Sequence, residues 1–196
     1  METLPLLADM LSGSDLVTLR DKALLFLGFA GAFRRSELVA VQIEDLTFTT
    51  QGMVVFIPQS KGDQLGAGSE IAIPYAPQKE ICAVRAVRNW MEAAGITSGP
   101  LFRGFKRNLQ PRDTQLNDKA VAEIVKKYMA RLGLDPSDFA GHSLRRGFAT
   151  SAAQHDLNTL EIMRQTRHKS EKMVHRYIEQ GNLFKENALD KMFNKK

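Results

Sequence analysis

The chain has 196 residues, 43% apolar and 25% charged, enough for about one domain with a real core and unlike a disordered, collagen-like or coiled-coil composition. Its one cysteine, Cys82, excludes an internal disulfide and a multi-cysteine metal site. Residues 1–100 carry 8 Lys/Arg against 11 Asp/Glu, whereas residues 101–196 carry 19 against 11, so the second half suits a polyanion such as nucleic acid or else presents a solvated basic face.

The first ten residues, METLPLLADM, lack the basic and long apolar stretches of a signal peptide. No element is assigned before Ser14. Residues 15–33 read as a helix, with Leu16, Leu19, Ala23, Leu24, Leu27 and Ala30 at 3-to-4 spacing and Ser14 or Asp15 as N-cap. The apolar run Ala23–Phe33 is too short to cross a bilayer. A short helix follows from Arg34 to about Ile43. Leu46–Thr50 and Met53–Pro58 flank a Gln51-Gly52 turn and read as strands, as does Ser69–Pro74. Between the last two lies the polar, glycine-rich hairpin loop Gln59–Gly68. Pro77–Ala94 is an amphipathic helix stopped by Gly95. Gly99–Thr114, rich in Arg, Lys and Pro, reads as a loop. Asn117–Leu132, His142–His155, Thr159–Gln165, Ser170–Ile178 and Leu183–Phe193 complete the helices. The expectation is an α+β, mostly α domain: a compact helical body with a small three-stranded antiparallel sheet at one edge and a C-terminal helical tail.

Four places carry chemistry-bearing residues inside this pattern. In GAFRRSEL, Arg34 and Arg35 interrupt an apolar segment, and Glu37 is placed to orient Arg34; an inward arginine needs such a partner, and a purely structural Arg34–Glu37 pair fits equally. Lys61 sits in the hairpin loop, either solvated or reaching a substrate. His142 and Arg145 stand at i and i+3 on one helix face, a pairing that suits a phosphate or an ordinary helix start. His168 and Tyr177 lie nine residues apart among Arg164, Arg167, Lys169, Lys172 and Arg176. Such cations favour the phenolate of a nucleophilic tyrosine, and they equally suit a tyrosine that packs a helix end beside backbone-phosphate contacts.

Taken in order, these segments resemble the tyrosine recombinase (phage integrase) family. GAFRRSEL resembles its first arginine motif, SKG its hairpin lysine, GHSLRRGFAT its histidine-x-leucine-arginine motif, and RHKSEKMVHRYIE its final histidine–tyrosine motif. The resemblance covers about Leu16 to Tyr177. It implies DNA strand cleavage and rejoining through a 3′-phosphotyrosyl link, without metal, ATP or other cofactor. It assigns Arg34 and Arg145 to the scissile phosphate, with Glu37 supporting Arg34. Lys61 becomes the acid that protonates the leaving 5′ oxygen, His142 an aid to proton transfer, His168 a phosphate hydrogen-bond donor, and Tyr177 the nucleophile.

The resemblance further implies a catalytic domain over residues 1–180, with 181–196 as a tail docking on a neighbouring protomer. The family's N-terminal core-binding domain is expected to be absent. Double-stranded DNA is the expected partner, in a tetrameric synapse, for a mobile-element recombinase in the cytoplasm with no membrane association. Two rivals are type IB topoisomerase-like relaxation and a catalytically impaired DNA-binding module. The sequence departs from the family at Arg167, where glycine is usual. If that backbone is left-handed, an arginine is strained there; alternatively it adds a phosphate contact.

Overall fold

The computed structural model describes residues 3–58, 68–168, 170–181 and 192. Helix α1 spans Thr3–Met10 and α2 spans Leu16–Ala30, whose N-cap Asp15 accepts from the Thr18 N–H at 3.0 Å. Residues 23–28 of α2 are all buried, the pattern of a helix enclosed on every side. It packs chiefly on α4 (Ala83–Ala94) and α6 (Ser143–Gln154), with α3 (Arg35–Ala40) and α5 (Asp118–Arg131) alongside. Trp90 of α4 is fully buried and donates its indole N–H to the Leu101 carbonyl at 2.8 Å, so its polar edge is satisfied inside the core.

Strands β1 (Leu46–Phe48), β2 (Gly52–Ile57) and β3 (Ser69–Pro74) form the expected antiparallel sheet, ordered β1-β2-β3, with Val55 opposite Leu46 and Ile71. Met53, Val55, Ile57, Ile71 and Ile73 point into the core, which is the period-two alternation that fixes register. A second, smaller core joins α6, α7 (Thr159–Thr166) and α8 (Glu171–Gly181). It holds Ala149, Ala152, Ala153, Ile162 and Val174, with Tyr177 packed against it.

Three features differ from the sequence reading. Helix α1 buries Leu7 and Ala8, with buried Leu11 just past its end, in a stretch whose sequence pattern predicts no element. The segment read as a loop contains a hairpin, β4 (Arg103–Phe105) with β5 (Pro111–Gln115). Pro77 does not begin α4, which starts at Ala83 behind a 3-10 turn at Lys79–Ile81. The expected tail, Leu183–Phe193, lies outside the described residues except for Met192. No described helix is long and apolar enough to cross a membrane.

The hairpin is held by a buried polar cluster. Arg20 donates to Asp21 Oδ1 at 2.9 and 2.6 Å and to the Arg103 carbonyl at 3.3 Å, and it lies 4.8 Å from the centre of the Phe105 ring. Asp21 Oδ2 accepts from the Tyr128 hydroxyl at 3.0 Å and Lys127 Nζ at 3.1 Å. Burial and the Asp21 charge together push the Tyr128 phenol above its usual range. Asp21 is 1% exposed, so Asp21→Ala leaves the Arg20 charge buried without its carboxylate. The expected loss is about 3–5 kcal/mol of folding stability, read as a lower urea midpoint; an unchanged midpoint contradicts this account.

Candidate active site

The site begins where α2 stops. Gly31 and Ala32 turn the chain sharply, held by hydrogen bonds from the Gly31, Ala32 and Phe33 N–H groups to the Leu27, Phe29 and Gly28 carbonyls. A Cβ on Gly31 would lie 2.1 Å from the Phe33 ring, so glycine is required there. Ala32 has φ 45°, a left-handed conformation that costs an alanine roughly 1–2 kcal/mol. The turn leaves the carbonyls of residues 30, 31 and 32 as acceptors for side chains from α6, α7 and Arg167. Gly28 lets α6 approach closely, since a Cβ there would lie 2.6 Å from Leu144.

Arg34 follows as the N-cap of α3. Glu37 reaches back to accept from the Arg34 N–H at 3.0 Å and pairs with its guanidinium, the return half of a capping box. Glu37 Oε2 also accepts from Arg167 Nη2 at 2.8 Å. Burial pushes the Glu37 carboxyl up, but the Arg34 N–H and the Arg167 and Arg34 guanidiniums outweigh it and hold the carboxyl below its usual range. Arg35 points elsewhere, pairing with Asp118 at 3.1 Å.

Arg145, in the first turn of α6, is 4% exposed. Its Nη1 donates to the Ala32 carbonyl at 2.9 Å, whereas the buried Nη2 has no hydrogen-bond partner among the described residues. Burial, then Arg34 and Arg167, bring its pKa down to about 10. His168 is likewise buried, and its Nδ1 has no partner among the described residues. Its ring stacks on Tyr177, with centroids 5.9 Å apart and planes inclined by 25°. Arg145 also feels the Tyr177 oxygen electrostatically. Arg34, Arg145, His168 and Tyr177, from three separate segments, thus meet at one place.

The remaining sequence candidates behave differently. His142 is the exposed N-cap residue of α6. Lys61 lies outside the described residues; β2, which leads to it, ends beside the site, where Phe56, Ile57 and Pro58 share a cleft of about 520 Å³ with Arg34 and Glu37.

Arg167 does have the left-handed backbone that makes its identity costly, with φ 56° and ψ 38°. Its terminal nitrogens are held by protein acceptors, while its buried Nε has no partner among the described residues. Nη1 donates to the Gly31 and Gln165 carbonyls at 3.0 and 2.8 Å, and Nη2 to the Ala32 carbonyl at 3.3 Å as well as to Glu37. Gln165 adds a 2.7 Å hydrogen bond to the Ala30 carbonyl. The sequence carried no local signal for Gln165, and for Arg167 only its place before His168.

Three guanidiniums around one carboxylate leave surplus positive charge, and three buried nitrogens, Arg145 Nη2, Arg167 Nε and His168 Nδ1, have no hydrogen-bond partner among the described residues. The arrangement is matched to a tetrahedral anion. It also makes His168 hard to protonate: burial, then Arg145, Arg34 and Arg167, lower its pKa from 6.5 to about 4. An unfolded chain binds this proton near pH 6.5 and the folded one only near pH 4. The stability contributed by neutral His168 is therefore complete above pH 6.5 and is lost as pH falls toward about 4. NMR titration of the imidazole is expected to give a midpoint near 4 in the free protein, moving up when an anion binds; a midpoint near 6.5 contradicts the cationic site.

The fold has close counterparts among solved structures. It is similar to the XerH site-specific recombinase bound to palindromic difH substrate in a post-cleavage complex, with TM-score 0.74 and 18% identity, covering 98% of this chain and 51% of that one. It also resembles the XerA recombinase, with TM-score 0.68 and 16% identity, covering 100% and 63%. Residues 4–182 match the phage integrase family, and the chain belongs to this family of tyrosine recombinases. It is 68% identical over 195 residues to the integrase/recombinase xerD homolog of Selenomonas ruminantium, covering 100% of this chain and 57% of that protein. It is 32% identical over 132 residues to tyrosine recombinase XerA of Pyrococcus horikoshii, covering 67% and 40%. The chain thus spans about half the length of these relatives.

Proposed function

We propose that this chain carries the catalytic machinery of a site-specific DNA recombinase. The observation that supports the reading best is the pairing of two unpartnered, buried nitrogens, Arg145 Nη2 and His168 Nδ1, beside Tyr177 in a pocket with excess positive charge. The tyrosine oxygen attacks the scissile phosphorus, forming a phosphotyrosine ester as the bond to the 5′ oxygen breaks. Arg34, Arg145 and His168 receive the charge that builds on the non-bridging oxygens. Such preorganised donors stabilise a transition state more than a ground state.

His142 assists removal of the tyrosine proton, and Lys61 protonates the departing 5′ oxygen. Attack by a 5′-hydroxyl reverses these steps and reseals a strand. The ester conserves the energy of the broken bond, and side chains supply the neutralising charge. In this reading residues 1–180 form the catalytic domain and 181–196 pack on a neighbouring protomer. The protein works on double-stranded DNA in a tetrameric synapse, in the cytoplasm.

The test is covalent trapping. The protein is incubated with nicked duplexes randomised around the nick, so that a short cleaved fragment diffuses away and the ester persists. A denaturant-stable adduct that maps to Tyr177 by mass spectrometry is the expected result. An adduct on another residue, or salt-sensitive duplex binding with no adduct anywhere in the pool, overturns the reading in favour of a different nucleophile or a DNA-binding module.

A further inference from the structure

We propose that Arg167 is a positioning residue: it clamps Glu37 and the Gly31–Ala32 turn, and through them sets the places of Arg34 and Arg145. The inference rests on the recombinase reading above and deepens it. Arg167 occupies a left-handed backbone position at the end of α7, where glycine fits without strain. A strained residue that persists is held by its surroundings, and the surroundings here are specific. The side chain is 11% exposed, its guanidinium lies 5.3 Å from the centre of the Phe33 ring, and its terminal nitrogens reach four acceptors. Three of those acceptors belong to the segment that carries Arg34, some 130 residues away in the chain.

Two of the acceptors are shared with the phosphate-binding arginines. The Ala32 carbonyl accepts from both Arg145 and Arg167. Glu37 accepts from Arg34 through Oε1 and its N–H through Oε2, and from Arg167 through Oε2. Arg167 therefore fixes the rotation of the carboxylate that orients Arg34. It also neutralises that carboxylate, so the charges of Arg34 and Arg145 remain available to an anion. Both terminal nitrogens of Arg167 are engaged by protein acceptors, which gives it a positioning part, and its buried Nε has no partner among the described residues. A lysine retains the charge but has no planar fork to span these acceptors.

Arg167→Gly and Arg167→Lys are compared with the wild-type chain in single-turnover cleavage of a nicked duplex recovered from the trapping pool. Duplex affinity is measured in parallel, and the His168 imidazole is titrated by NMR in each protein without DNA. Arg167→Gly is expected to slow cleavage about 100-fold, the penalty of a small misplacement at a reacting centre, with duplex affinity held within about twofold of wild type. The lysine variant falls between. The His168 midpoint rises in Arg167→Gly, which has lost one of the three cations acting on it, and moves less in Arg167→Lys.

Wild-type cleavage by Arg167→Gly overturns the proposal. So does a loss of rate matched by an equal loss of affinity, which marks a direct DNA contact. If the wild type forms no Tyr177 adduct, the recombinase reading falls; separately, an unchanged His168 midpoint in Arg167→Gly refutes the placement of the Arg167 cation beside the site and with it the positioning role. If the glycine variant fails to fold, the lysine variant carries the same comparisons.

Discussion

Tyr177→Phe removes the trapped adduct while leaving duplex binding in place. The substitution deletes one oxygen. The ring keeps its stack on His168 and its packing against the second core, so folding stability changes by less than about 1 kcal/mol. The lost oxygen is the proposed nucleophile, and no other group substitutes for a nucleophile in its attacking position. Cleavage is expected to fall by about 10⁴-fold or more. A denaturing gel reports the adduct, and fluorescence anisotropy reports binding. A Phe variant that still links to DNA removes Tyr177 from the mechanism.

Arg145→Ala is the second large effect. Arg145 is the more buried of the two proposed phosphate-binding arginines, and its buried Nη2 has no partner among the described residues. Truncation leaves the developing phosphate charge without that donor, and the expected loss in cleavage rate is about 10²–10³-fold. Arg145→Lys separates charge from geometry. It restores a cation but not the two-nitrogen fork that holds the Ala32 carbonyl with one arm and an anion with the other, so it recovers only a small part of the rate.

The alanine variant also raises the His168 midpoint, because Arg145 follows burial as the next cause of its depression. Single-turnover cleavage and imidazole titration check the two consequences separately. Wild-type cleavage by Arg145→Ala contradicts the phosphate-clamp assignment.

The sequence by itself determined those features that are written in caps, in alternation along a strand and in the order of its motifs. Asp15 and Asn117 cap α2 and α5 with their own side chains. The alternation of Met53, Val55 and Ile57 against Ile71 and Ile73 produced the sheet and its buried face. The order of the arginine, histidine and tyrosine motifs pointed to the family before any coordinates. Hairpin β4–β5 escaped because its polar strand residues do not alternate; what holds it is Arg20, more than 80 residues away, through the Arg103 carbonyl and the Phe105 ring.

Only the tertiary structure decided what each arginine touches. In sequence, Arg34, Arg35, Arg145, Arg146 and Arg167 are equally basic. In space, Arg35 pairs with Asp118, Arg146 donates to the Asp138 carbonyl, and Arg167 turns both terminal nitrogens to Glu37 and the Gly31–Ala32 turn, while the terminal Nη2 of Arg145 has no partner among the described residues. These roles depend on carbonyls and carboxylates separated from the guanidiniums by up to 136 residues of chain. Local periodicity and capping preferences carry no information about such partners, because the partners exist only once α2, α6 and α7 have packed.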